Sequence, residues 1–269
     1  MTIPDKAIAF LSVLAFASTA SAQDWAKAKL DSSPRHQEWV TVKHGDRSVQ
    51  CYIVYPEVNR KAPVVLIIHE IFGLSDWARE TADQVAASGY VAIAPDLVSG
   101  LGPKGGGTSE FSGRDAVVKA VSGLPADQVM ADLNAAADYA LALPASNGKL
   151  FVAGFCWGGG QSFQFATKRS GLSAAFVFYG GAPKEFGAIA EILCPVYGFY
   201  GGNDARVSET VPATIEIMKK AGKTYEPVIY EDAGHGFMRT GEDPTGEPAN
   251  KKAYRRAWDR WRKLLQENS

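Results

Sequence analysis

The chain has 269 residues, 46% of them hydrophobic, which is enough for one sizeable α/β core, and no composition break divides it. Its 28 basic and 29 acidic side chains leave a formal charge of −1, so there are no electrostatic grounds for a nucleic-acid or anionic-membrane partner.

At the N-terminus, Lys6 precedes an apolar run from Ala7 to Ala17, and Ala20 and Ala22 supply an A-x-A ending. That order predicts a signal peptide over residues 1–22, with cleavage before Gln23. The mature chain, 23–269, is then a single exported domain, periplasmic or secreted. The apolar run is too short for an anchor, so no membrane span is expected in the mature chain. Export makes the three cysteines, Cys51, Cys156 and Cys194, informative, because an odd count leaves at least one thiol unpaired. The reading favours Cys51 and Cys194 as buried and reduced and leaves their pairing open. No Cys/His spacing suggests a metal site, and no cofactor is expected.

In chain order, Val40, Val42, Val49, Cys51 and Ile53 alternate around the turn residues of "HGDR" and predict a β-hairpin. "APVVLIIHE" (62–70) and "YVAIAPDL" (90–97) read as strands covered on both faces. Between them, "SDWARETADQVAASG" reads as a helix capped by Ser75 or Asp76 and closed by Gly89. Residues 98–124 are glycine-rich with weak periodicity, which suggests a cap or an active-site loop. Their "KGGGT" has its lysine ahead of the glycines, the reverse of a phosphate-binding loop.

A helix from near Pro125 places Val129, Leu133, Ala136, Ala140 and Leu143 on one face, and Pro144 stops it. "KLFVAGF", "AAFVFYGG", "PVYGFYGGND" and "YEPVIYEDAGHG" are further strands, with a helix near "ETVPATIEIMKKAG" between the last two. Tyr254, Trp258, Trp261 and Leu265 share one face of a closing basic helix whose Lys and Arg residues read as solvated. Strands alternating with helices predict an α/β fold: a mostly parallel, twisted sheet with helices on both faces.

In such sheets functional groups gather at the carboxyl ends of strands, and Glu70, Cys156, Asp204 and His235 all fall there. Gly154-Phe155-Cys156-Trp157-Gly158 is G-x-C-x-G in a strand–turn–helix setting, the form of a nucleophile elbow. The helix that follows aims its N-terminus at the sulfur, which favours a thiolate or an anionic intermediate. Asp204 and then His235 complete the order nucleophile–acid–base used by α/β-hydrolases. In that arrangement the imidazole exchanges the proton and the aspartate fixes its tautomer. Asp232 is a rival acid on the histidine's own loop. His36 and His44 read as surface residues, and His69 as a packed or loop-bracing histidine.

"HEIFGL", "GFCWGG", "GGNDARVS" and "GHGFMR" together make the chain resemble the dienelactone hydrolase (carboxymethylenebutenolidase-like) family, of α/β-hydrolase fold, over nearly the whole mature length. The resemblance implies a hydrolase that opens small lactone esters through an acyl-thioester. It makes Cys156 the nucleophile, His235 the base and acid, and Asp204 its partner. Glu70 would be the carboxylate that contacts the resting thiol, and the backbone N–H groups of Trp157 and Ile71 the oxyanion hole. Arg239, with Arg114 by spacing alone, would bind the carboxylate of an anionic small-molecule substrate. Two departures bear on the substrate. Val118 and Val121 stand where the family has aromatic residues, and the chain carries an export signal.

On this reading Glu70 keeps the thiol neutral at rest, and substrate displaces the carboxylate to free a thiolate; a neutral thiol also resists oxidation. A broader carboxylesterase or thioesterase would use the same residues. A non-catalytic envelope thiol protein would need neither His235 nor Asp204.

Overall fold

The computed structural model describes residues 23–183 and 185–269. The predicted signal peptide, residues 1–22, lies outside the described residues. A short helix α1 (Asp24–Asp31) opens the chain, followed by the hairpin β1 (Gln37–His44) and β2 (Arg47–Val54). Next come β3 (Ala62–Ile68), α2 (Asp76–Ala87), β4 (Val91–Pro95), α3 (Arg114–Ser122) and α4 (Ala126–Leu141). The second half runs β5 (Ser146–Phe155), α5 (Trp157–Lys168), β6 (Leu172–Phe178), α6 (Phe186–Ala190) and β7 (Val196–Gly201). It ends with α7 (Ala205–Ser208), α8 (Val211–Lys220), β8 (Tyr225–Tyr230), α9 (Phe237–Glu242) and α10 (Pro248–Glu267).

The strands form one eight-stranded sheet in the order β1-β2-β4-β3-β5-β6-β7-β8. The hairpin pairs antiparallel, β2 meets β4 antiparallel, and every later pairing is parallel. Side chains alternate across the pleat, so β5 divides its residues between two cores. Phe151, Ala153 and Phe155 face Trp77 of α2 and Trp258, Trp261 and Leu265 of α10. Leu150 and Val152 share the opposite core with Val129 and Leu133 of α4, Phe163 of α5 and Met218 of α8. Two buried layers explain why the central strands are continuous apolar runs.

Local signals act as expected at α2, where the Ser75 hydroxyl caps the helix by accepting from the Ala78 N–H. The 98–124 segment is more ordered than its weak periodicity suggests. Asp96 anchors it by accepting from both the N–H and the hydroxyl of Thr108, and α3 follows. His44 is another correction. It is not a free surface residue, because its Nε2 lies 2.6 Å from Asp132, a fully buried carboxylate that also takes Arg47 at 2.9 Å. Among the described residues no helix is long and apolar enough to cross a membrane. Cys51, Cys156 and Cys194 are all free thiols, Cys51 and Cys194 buried.

Candidate active site

Because β3, β5, β6, β7 and β8 are parallel neighbours, the turns that leave their carboxyl ends converge at one edge of the sheet. Cys156 follows β5 directly and is held at φ 57°, ψ −116°, a left-handed conformation costly for a residue with a Cβ. Its N–H donates to the carbonyl of Phe178, and its carbonyl accepts from Gly160. The flanking glycines are required by space: a Cβ on Gly154 would collide with the Gly158 carbonyl, and one on Gly158 with the carbonyls of Ile68 and His69. The bend therefore fixes the sulfur above the sheet with the first turn of α5 behind it.

The sulfur lies 3.1 Å from Nε2 of His235, whose Nδ1 is 2.5 Å from Oδ2 of Asp204. Asp204 is 7% exposed, so its carboxylate acts on the ring with little competition from water. Burial disfavours the imidazolium, but hydrogen bonds to Cys156 and Asp204 outweigh it and raise His235 to about 9. Asp232, the rival acid, is exposed at a positive φ of 62°, and only its backbone carbonyl is engaged, by Asn203.

Glu70 is brought to the same edge, but to a different partner than the resemblance implies. Its carboxylate accepts from Nε of Arg239 at 2.7 Å and from the Tyr179 hydroxyl at 3.4 Å, while the thiol's hydrogen bond goes to His235. Burial opposes the Arg239 cation, yet the Glu70 carboxylate more than compensates and holds it charged. Tyr179 has no counterpart in the sequence reading. It follows β6 at φ 41°, is fully buried, and packs edge-on against the His235 ring. Burial and the neighbouring Glu70 keep its hydroxyl protonated well above the usual range. The signal was available, since Tyr179 stands at the end of "AAFVFYGG", a strand end like those of the other four residues.

Ile71 and the Trp157 ring pack in a small apolar cluster with Val98, Val117 and Val121, and Trp157 stacks on His69. His69 is fully buried, accepting from the Leu97 N–H and directing its other nitrogen to the Glu70 carbonyl. Trp157 is the first residue of α5, so its N–H has no partner within the helix. A cavity of about 500 Å³ adjoins the site, its inner wall formed by Phe72, Thr108, Ser109, Arg114, Val117 and Arg239. Arg239 links it to Glu70, and Cys156 does not line it. Both arginines lie over the Phe72 ring, Arg114 at 3.9 Å and Arg239 at 5.2 Å from its centroid. Arg239 is paired with Glu70, whereas Arg114 has no carboxylate partner among the described residues.

Residues 49–269 match the model of a family described as the dienelactone hydrolase family. The carboxymethylenebutenolidase of Pseudomonas putida is 31% identical over 212 residues, covering 76% of this chain and 86% of that protein. Two solved structures show the same fold. A dienelactone hydrolase-like promiscuous phosphotriesterase from metagenomic libraries has a TM-score of 0.74 at 24% identity, covering 87% of this chain and 98% of that one. The dienelactone hydrolase of Anabaena variabilis has a TM-score of 0.63 at 19% identity, covering 84% of this chain and 96% of that one.

Proposed function

The chain belongs to the dienelactone hydrolase family, and from that premise we propose that it cleaves small lactones and carboxylic esters through Cys156 and an acyl-thioester. The observation that carries this reading is the Cys156–His235–Asp204 chain, with its 3.1 Å and 2.5 Å contacts, set at a glycine-bounded elbow.

The steps follow from the geometry. Nε2 of His235 holds the thiol's proton while the sulfur attacks the ester carbonyl. Asp204 stabilises the imidazolium and fixes which nitrogen faces the sulfur. The backbone N–H groups of Trp157 and Ile71 receive the developing oxyanion. The tetrahedral intermediate then collapses, and His235 returns its proton to the leaving alkoxide. Water, deprotonated by the same imidazole, releases the acid and restores the thiol.

Glu70 on Arg239, with the sulfur on His235, is the attack-ready half of the expected gate. In the resting half, Glu70 would turn to the thiol and hold it neutral. Arg114 is the cation best placed to take an anionic substrate group, because Arg239 is already engaged. A broader carboxylesterase reading is supported by the cavity wall, where Val117 stands and α3 contributes no aromatic side chain. The A-x-A ending at Ala22 supports export of the mature enzyme.

The test is a panel of lactones and small esters assayed with wild type and Cys156→Ser, with the acyl-enzyme mass sought after rapid quench. Turnover with a mass gain on Cys156, both lost or greatly slowed in the variant, is expected. Full activity in Cys156→Ala would refute a cysteine nucleophile.

A further inference from the structure

The cavity beside the site has a second cluster of lining residues that the proposed reaction does not use: Trp39 of β1, Arg79 and Asp76 of α2, and Gln23 ahead of α1. Two of them, Gln23 and Trp39, precede residue 49, where the match to the family begins. The N-terminal part of this chain contributes to the wall of the cavity.

Trp39 is the unusual member. It is 50% exposed, on an edge strand where a polar residue would cost nothing. Its ring is nonetheless held in place, tilted against Tyr52 at 5.3 Å and overlaid by the Arg79 guanidinium at 5.8 Å. An indole held by its neighbours yet half exposed to a cavity can act as a stacking surface. The charge around it is closed, since Arg79 pairs with Asp76 one helical turn away and Gln23 spends its side-chain oxygen on the Trp77 N–H. By contrast, the Phe72 cluster offers Arg114 with no carboxylate partner among the described residues. The cavity lining thus offers a free cation for an anion and a half-exposed indole for an uncharged flat group. The volume agrees, because about 500 Å³ is the size of sites that take drug-sized ligands, more than a small lactone fills.

We propose that Trp39 and Arg79 form a distal subsite for an aromatic ring, so that the preferred substrates are esters or lactones bearing an uncharged aryl group away from the scissile bond. This rests on the hydrolase reading above for the word substrate, but not for the site itself.

The experiment compares two esters of one acid, a methyl ester and an arylalkyl ester, on wild type, Trp39→Ala and Trp39→Phe. In parallel, calorimetry measures binding of the non-hydrolysed arylalkyl amide. Wild type should favour the aryl ester by on the order of 2- to 10-fold in kcat/KM, mainly through KM. The preference should vanish in Trp39→Ala and return in Trp39→Phe, with amide affinity following the same order. An equal aryl preference in wild type and Trp39→Ala, or none in wild type by either measurement, overturns the proposal. Amide binding that depends on Trp39 while no ester is turned over would support the subsite and sink the hydrolase reading alone.

Discussion

Asp204→Asn tests the triad most directly, because it keeps the shape of the side chain and removes its charge. The carboxylate is buried and 2.5 Å from Nδ1 of His235, one of the two hydrogen bonds that hold the imidazole at about 9. A hydrogen bond to a charged group contributes about 1.5–3 kcal/mol, and about 1.4 kcal/mol corresponds to one pH unit. The ring is about a third exposed, so the lower end applies and the loss is roughly one pH unit. In wild type, His235 stays protonated until about pH 9 and can serve as the acid for the leaving alkoxide, so kcat/KM should fall above that pH. In Asp204→Asn that alkaline limb should move down by roughly one pH unit, and kcat should drop by about 10²- to 10⁴-fold as the ring loses its tautomer. Steady-state profiles from pH 6 to 10.5, with the His235 ring followed by NMR, measure both. An alkaline limb that stays in place, or a kcat within about twofold of wild type, would refute the arrangement.

Gly154→Ala forces a Cβ against the Gly158 carbonyl at the elbow; a loss of stability of about 1–3 kcal/mol, read by urea unfolding, should accompany loss of activity. Asp132→Asn leaves His44 and Arg47 around a neutral group at a fully buried position, and unfolding should show a loss of about 3 kcal/mol, moderated by the partial exposure of both cations. Glu80 is raised above the ordinary carboxyl range by burial, then by the neighbouring Glu242, so the folded state keeps a proton that the unfolded chain releases. Its contribution is complete at acid pH and is lost as pH rises towards its folded value. Glu80→Gln should therefore flatten the decline in melting temperature between pH 5 and about 9, and a decline as steep as in wild type would disprove the assignment.

β3, β4, β5, β6 and β7 were legible as short apolar runs bounded by turn residues, because burial on both faces erases alternation, whereas the β1–β2 hairpin was legible by its alternation. The elements that escaped notice are those made by tertiary contacts. α9, "FMRTGE", contains a threonine and a glycine and has too few residues to form a helix alone. α3 has nine residues and only Val117 and Val121 buried, so its pattern is faint. Within the site, chain order pointed to Cys156, Asp204 and His235, since each ends a strand whose neighbours are fixed by the parallel sheet. The partner of Glu70 was not legible. A carboxylate two residues past β3 is within reach of both the sulfur and α9, and the choice depends on the placement of a helix that the sequence does not announce. Trp39 was hidden for a similar reason, since an aromatic residue on an edge strand reads only as part of a hairpin.

The placement of α9 links these points. The helix begins just after His235, and Gly236 at φ 74° makes the sharp entry. Six residues cannot hold a helical conformation by their own hydrogen bonds, so the ends must be tied from outside. At the site end, Arg239 is bound by Glu70 from the β3 turn. At the far end, the carboxylate of Glu242 takes Nζ of Lys29 on α1 at 2.6 Å, and Nε1 of Trp77 on α2 at 3.0 Å. Gln84 of α2 donates to both Glu80 and Glu242, closing the network. The direction of Arg239 is thus set by contacts on opposite sides of one helical turn and a half. If Glu70 leaves Arg239 for the thiol, only the site end of α9 is released, because the Lys29 and Trp77 bonds remain. The guanidinium would then stay beside Phe72 with its charge uncovered, giving the cavity a second free cation at the moment the thiol is shielded. A substrate carboxylate held on Arg239 would then keep Glu70 at the thiol, whereas one held on Arg114 would leave Glu70 free to return to Arg239 and uncover the sulfur.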